Sequence, residues 1–175
     1  MRERRDVQGS TNAAEYPQPR KYWRWSPAAA SVGPPLQGTL TMYIHHINFV
    51  VEDLEAAVGR FERILGQTVE RRDGLPGRGA LTARFKLGPT WLVLVQPIDP
   101  DGAPGRHLAA HGEGFFLCSL GVDDLDATAD RLREAGVGLA GPPRRGLDNW
   151  RVQDLLPDYS LGEQFQITEE LAGSD

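Results

Sequence analysis

Hydrophobic and polar residues change period partway along this chain, and later they do so again in the same way. Around residues 43–51 they alternate. Ile47, Phe49 and Val51 share one face, and His46, Asn48 and Val50 share the other, which predicts a strand. Asp53 follows, a capping residue type whose side-chain oxygen accepts an otherwise unpaired N–H of the first helical turn. The period then lengthens, and Leu54, Val58, Phe61 and Leu65 form one helical stripe. Gly66 is the residue type that closes a helix. A degenerate copy runs over residues 116–136. Val51, Asp53, Leu54, Ala56 and Arg60 return as Val122, Asp124, Leu125, Ala127 and Arg131, at a constant offset of 71. A repeat of this length marks two copies of one structural unit.

After the first helix a short strand is expected at 67–71 and a Gly/Pro-rich loop at 73–79. An alternating strand is expected at 80–87, with Leu81, Ala83, Phe85 and Leu87 opposite Thr82, Arg84 and Lys86. A further strand is expected at 91–96. A Pro/Asp/Gly linker and a short helix at 106–111 lead to the second copy. Its expected elements are a strand from 115 to 122, a helix at 124–135, an edge near 137–139 and a loop at 142–146. A strand at 150–156, a tight turn and a last strand at 163–168 complete it. The order βαβββ occurs twice, so the fold class is α+β. The expected layout is a flexible extension (1–41), a first module (42–98), a linker with a short helix (99–114), a second module (115–170) and a tail (171–175).

Composition narrows the class. The one cysteine, Cys118, excludes an intramolecular disulfide and a cysteine-based metal centre, and it fits a reducing cytoplasm. No apolar run approaches the roughly 20 residues that span a bilayer, so no membrane partner is expected. Net charge is −5, and it is uneven. Residues 1–41 carry six basic against three acidic side chains, and the remainder carries 13 against 21. An acidic globular part repels phosphate, so no nucleic-acid partner is expected. Within 1–41, RKYWRW (20–25) interleaves basic and aromatic residues. It reads either as a contact surface or as a tail outside the natural product, with Met42 a plausible start.

Two tandem βαβββ modules, with HHINFVVEDLEAAVGRFERILG, LVQPIDPDG followed by HGEG, and VDDLDATADRLREAGV, resemble the vicinal-oxygen-chelate superfamily. That group includes glyoxalase I, extradiol dioxygenases and bleomycin-resistance proteins. Within it, the resemblance is nearest to methylmalonyl-CoA epimerase-like proteins. It implies a curved mixed sheet around a concave cavity, where metal-using members hold one divalent ion. Carried over by position, the four ligand sites fall on His46, Val93, Leu117 and Gln166. The repeat agrees in part: His46 maps to Leu117, and Gln166 maps back to Val95, two residues from Val93. Valine and leucine have no lone pair to give a hard cation, which wants about six oxygen or nitrogen donors. The expectation is therefore no cofactor and no retained divalent metal. The resemblance also implies a catalytic carboxylate near the loop GLPGRGAL and another on the last strand. This chain has Gly and Arg in the first place and Gln166 in the second, and an amide is no general base.

The remaining candidates form a small-molecule site. His46 reads as a catalytic base or ligand-orienting donor, or else as a neutral histidine bonded to Asn48 or Gln166. The expected substrate-binding residues are Asn48, Arg84, Val93, Leu117, Ser119, Trp150, Arg151 and Gln166. Among them, Arg84 would clamp a carboxylate or phosphate, and Trp150 and Arg151 would stack on a ring or pair with an anion. Val50, Val95, Phe115, Gln164 and Thr168 follow onto the same face by alternation. Three functions stay open. The first is a metal-independent isomerase, epimerase or lyase acting on a small oxygenated or acyl substrate. The second is a non-catalytic protein that sequesters a small molecule. The third is a metal-dependent methylmalonyl-CoA epimerase-like enzyme. The expected partner is a small molecule, with a homodimer left open.

Overall fold

The computed structural model describes residues 42–159 and 163–172. The expectations for 1–41, for part of the last tight turn and for the end of the tail lie outside the described residues. The elements are β1 (Tyr43–Val50), α1 (Leu54–Leu65), β2 (Arg71–Leu75), β3 (Ala80–Leu87), β4 (Thr90–Pro97), α2 (Ala103–His111), β5 (Gly114–Gly121), α3 (Leu125–Glu134), β6 (Leu139–Arg145), β7 (Trp150–Leu155) and β8 (Phe165–Glu170). Single 3-10 turns follow β2 and β7.

The two helices of the repeat begin alike. Asp53 Oδ1 accepts from Ala56 N at 3.0 Å, and Asp124 Oδ1 accepts from Ala127 N at 2.9 Å. Gly66 ends α1 in the left-handed region (φ 65°), its N–H bonded to Glu62 O. The eight strands form one curled mixed sheet in the order β2-β3-β4-β1-β5-β8-β7-β6. β1 lies parallel to β4, and β5 parallel to β8. A parallel pair needs a long crossover, which α1 and α3 supply. The antiparallel β1–β5 pair joins the two modules at the centre.

Each helix covers its own half of the convex face. Leu54, Ala57 and Val58 pack on Ala83, Phe85 and Leu94, while Leu125, Ala129 and Leu132 pack on Ile167. The concave face has its own core. Leu147, Trp150 and Val152 of the second module meet Ala80, Trp91, Val93 and Val95 of the first. The turn between β6 and β7 reaches across to the opposite end of the sheet. Asp148, at φ 53°, pairs with Arg71 at 2.9 Å and with Arg84 at 3.5 Å.

Two strand expectations are corrected. β2 starts at Arg71, because Val69 N is first tied to Glu62 Oε1 of the helix, and pairing begins at Arg71↔Arg84. Residues 73–75 therefore belong to that strand. The 142–146 loop is mostly strand as well. β6 is the sheet edge, where Pro142 and Pro143 need no ladder donor, and its register breaks between Ala140 and Arg144.

Candidate small-molecule site

A cavity of about 300 Å³ opens on the concave face. His46, Asn48, Val93, Leu117, Trp150 and Gln166 line it.

His46 owes its setting to a break in β1. The pairing skips from Ile44↔Leu120 to His46↔Ser119, so His45 is the extra residue of a bulge. Neighbours that strict alternation would send to opposite faces lie side by side, with Nδ1 to Nδ1 at 2.8 Å. Both rings are buried. His46 stacks on Trp150, with centroids 4.8 Å apart and planes at 17°, and His45 meets the same indole edge-on at 4.6 Å. Gln166 Nε2 donates to His46 Nε2 at 2.8 Å. That bond places the His46 proton on Nδ1, where it donates to His45. His45 Nε2 then faces the Glu170 carboxylate at 3.6 Å. Burial holds His46 well below the ordinary imidazole range, and His45, Arg84 and Arg144 add to the effect. Burial also lowers His45, against the opposing pull of Glu170.

The strand registers settle which positions are equivalent. Asn48 faces Val93 as Ser119 faces Gln166, so Gln166 corresponds to Val93 rather than Val95. The second module carries two more residues than the first between these points. The four positions expected to ligate a metal, His46, Val93, Leu117 and Gln166, thus correspond in pairs between the modules. Two have only carbon side chains, and the His46 Nε2 lone pair is already engaged by Gln166. This donor set does not fit a divalent ion.

Three of the expected binding residues lie off the cavity. Arg84 is 1% exposed and bonds Asp73 at 2.9 Å, its guanidinium lying between the rings of Trp91 and Trp150 at 5.2 and 5.1 Å. The tryptophans and carboxylates turn it from a ligand clamp into a tie between sheet edges. Ser119 is buried against Thr168, hydroxyl to hydroxyl. Arg151 points to the helix side and binds Asp126 and Glu169, because Trp150 takes the concave face of β7. Phe116 lines the cavity in place of Phe115, following a second register shift after Asn48. Val50 packs with Phe116 and Leu117 below α2.

Arg78, Arg144, Arg145 and Asp154 line the cavity unanticipated. Arg144 Nη2 donates to both oxygens of Asp154 at 2.8 and 2.6 Å. By register this pair is the counterpart of Asp73–Arg84 with the signs exchanged. Asp73 faces Thr82 as Arg144 faces Val152, and Arg84 faces Val93 as Asp154 faces Gln166. Burial lowers the Arg78 guanidinium, Arg144 adds to the effect, and Asp154 offsets part of it. The signal that could have found Arg78 was its isolation as a cation in a Gly/Pro loop.

The chain matches the model of the Glyoxalase/Bleomycin resistance protein/Dioxygenase superfamily over residues 45–153. It is 29% identical over 118 residues to the ethylmalonyl-CoA/methylmalonyl-CoA epimerase of Cereibacter sphaeroides, covering 65% of this chain and 87% of that protein. Among solved structures it resembles a variant of Streptomyces coelicolor methylmalonyl-CoA epimerase in complex with 2-nitronate-propionyl-CoA. There the TM-score is 0.72 and the identity 30%, over 78% of this chain and 99% of that one. The methylmalonyl-CoA epimerase of Mycobacterium tuberculosis gives a TM-score of 0.70 at 26% identity, over 74% of this chain and 88% of that one.

Proposed function

Because the chain belongs to the glyoxalase, bleomycin resistance protein and dioxygenase superfamily, we propose that its cavity receives a small oxygenated or acyl compound and works without a divalent metal. The reaction class is isomerase, epimerase or lyase, with His46 as the group that meets the substrate. The observation carrying this reading is a buried imidazole on the cavity wall, among mostly apolar residues, with its Nε2 accepting from the Gln166 amide. The names of the relatives support the epimerase side of it. A substrate that displaced the Gln166 amide would free the His46 Nε2 lone pair for its proton.

A second reading, ligand sequestration without turnover, is favoured by a different observation. Both nitrogens of His46 are hydrogen-bonded, and Asp154, the one lining carboxylate among the described residues, is spoken for by Arg144. We also place the protein in the cytoplasm, on the strength of its lone thiol. Among the described residues, no helix is long and apolar enough to cross a membrane.

Two measurements separate the readings. Elemental analysis of the purified protein should find divalent metal far below one ion per chain, and a stoichiometric ion would overturn the metal-free reading. Incubation with methylmalonyl-CoA and small acyl-CoAs in deuterated water should show isotope exchange that survives a chelator and is lost in His46→Ala. Binding without exchange would select sequestration.

A further inference from the structure

We propose that the cavity is built for an anion, seated on the guanidinium of Arg78, and that its ligand class is a small carboxylate with an apolar body. The inference rests on the reading of the cavity as a ligand site, and it names what that site selects.

Charge is the first argument. Three arginines line the cavity against one aspartate, in a chain whose net charge is −5. Asp154 is held by both oxygens on Arg144, and Arg145 donates to the Asp148 carbonyl. Arg78 makes no hydrogen bond or ion pair with any described residue. Asp154 acts on it only through space and is itself bonded to Arg144; a partly buried cation with no bonded partner is costly, and a ligand anion removes that cost.

Placement is the second argument. Arg78 closes the turn Pro76–Arg78, and Gly79 follows it at φ 57°. The Gly79 carbonyl accepts from Ile98 N at 2.7 Å and Asp99 N at 3.0 Å. A Cβ at Gly79 would stand 2.2 Å from Asp99 Cβ, so the turn is seated directly against the segment after β4. The guanidinium therefore projects from a fixed backbone, and its planar fork matches a carboxylate.

The rest of the cavity sets the body of the ligand. Leu75, Val93, Val95, Leu147 and Val152 supply apolar wall, and about 300 Å³ suits a compact molecule. Asn48 Oδ1 is buried on the same wall with no hydrogen-bond partner among the described residues, an acceptor that a hydroxyl or N–H on the ligand's body would meet.

Calorimetric titration with phenylacetate, its neutral isostere phenylacetamide and phenyl phosphate tests this. Phenylacetate should bind about ten- to a hundredfold tighter than the amide. Arg78→Gln should remove that advantage by weakening the acid far more than the amide, and Arg78→Lys should restore part of it. Equal binding of acid and amide, or an unaltered preference in Arg78→Gln, overturns the inference and leaves the ligand site standing. A preference for phenyl phosphate overturns the carboxylate assignment. Failure of every probe, charged and neutral, overturns the ligand-site reading along with it. Should Arg78→Gln not fold, salt decides on the unmodified protein: rising salt should weaken the acid and not the amide, and equal weakening overturns the inference.

Discussion

At the scale of single residues, His46 is governed by the residue before it. The bulge at His45 brings two imidazoles together in a dry setting, and both are harder to protonate than a free histidine. The sign of the linkage follows. An unfolded histidine takes up a proton near pH 6.5. The folded chain resists that proton, so stability is fully present above this value and is lost as pH falls through it. Urea melts between about pH 7 and 5 should show a falling unfolding free energy, by at most about 1.4 kcal/mol per pH unit for each histidine. His46→Gln should flatten the slope, and a flat profile for the unaltered chain would contradict this account. The bulge is also why part of the site was illegible in the sequence. Alternation assigns His46, Asn48, Val93, Leu117 and Gln166 to one face, and all five line the cavity, as does Trp150, whose face the uneven pattern over 150–156 leaves open. It fails at Phe115 and His45, where an extra residue resets the count without leaving a composition signal. Arg84 misleads for another reason. Its strand position gives its face, but the two tryptophans that enclose it come from β4 and β7.

At the scale of elements, the repeat was the most legible feature, because caps and periodicity are local. Asp53 and Asp124 each accept one amide of the first helical turn. Asp53→Ala and Asp124→Ala should each cost about 1 kcal/mol in chemical denaturation, additively in the double variant. A cost near zero at either site would mean that tertiary packing alone fixes the helix start. Strand edges were less legible. The start of β2 depends on Glu62 reaching out from α1, and β6 tolerates two prolines only because it is last in the sheet. Neither fact can be read from the residues concerned.

At the scale of the whole sheet, closure depends on contacts between chain segments far apart in sequence. Asp148 at the β6–β7 turn meets Arg71 and Arg84 from the other end of the sheet, over Trp91 and Trp150. Arg84→Ala should lower stability by about 3 kcal/mol, toward the lower end of what breaking a buried ion pair costs, because its carboxylate partners retain water. Urea unfolding would measure it, and a loss within 0.5 kcal/mol, about that of a surface change, would contradict the closure role.

The exchanged signs of Asp73–Arg84 and Arg144–Asp154 carry a consequence for how this protein could ever be rearranged. The halves are copies in backbone but no longer interchangeable parts. Two first halves joined together would lack the cavity-facing Asp154, and two second halves would lack the arginine that ties the sheet ends. Any exchange of halves between chains must therefore unite unlike partners, as one chain already does within itself.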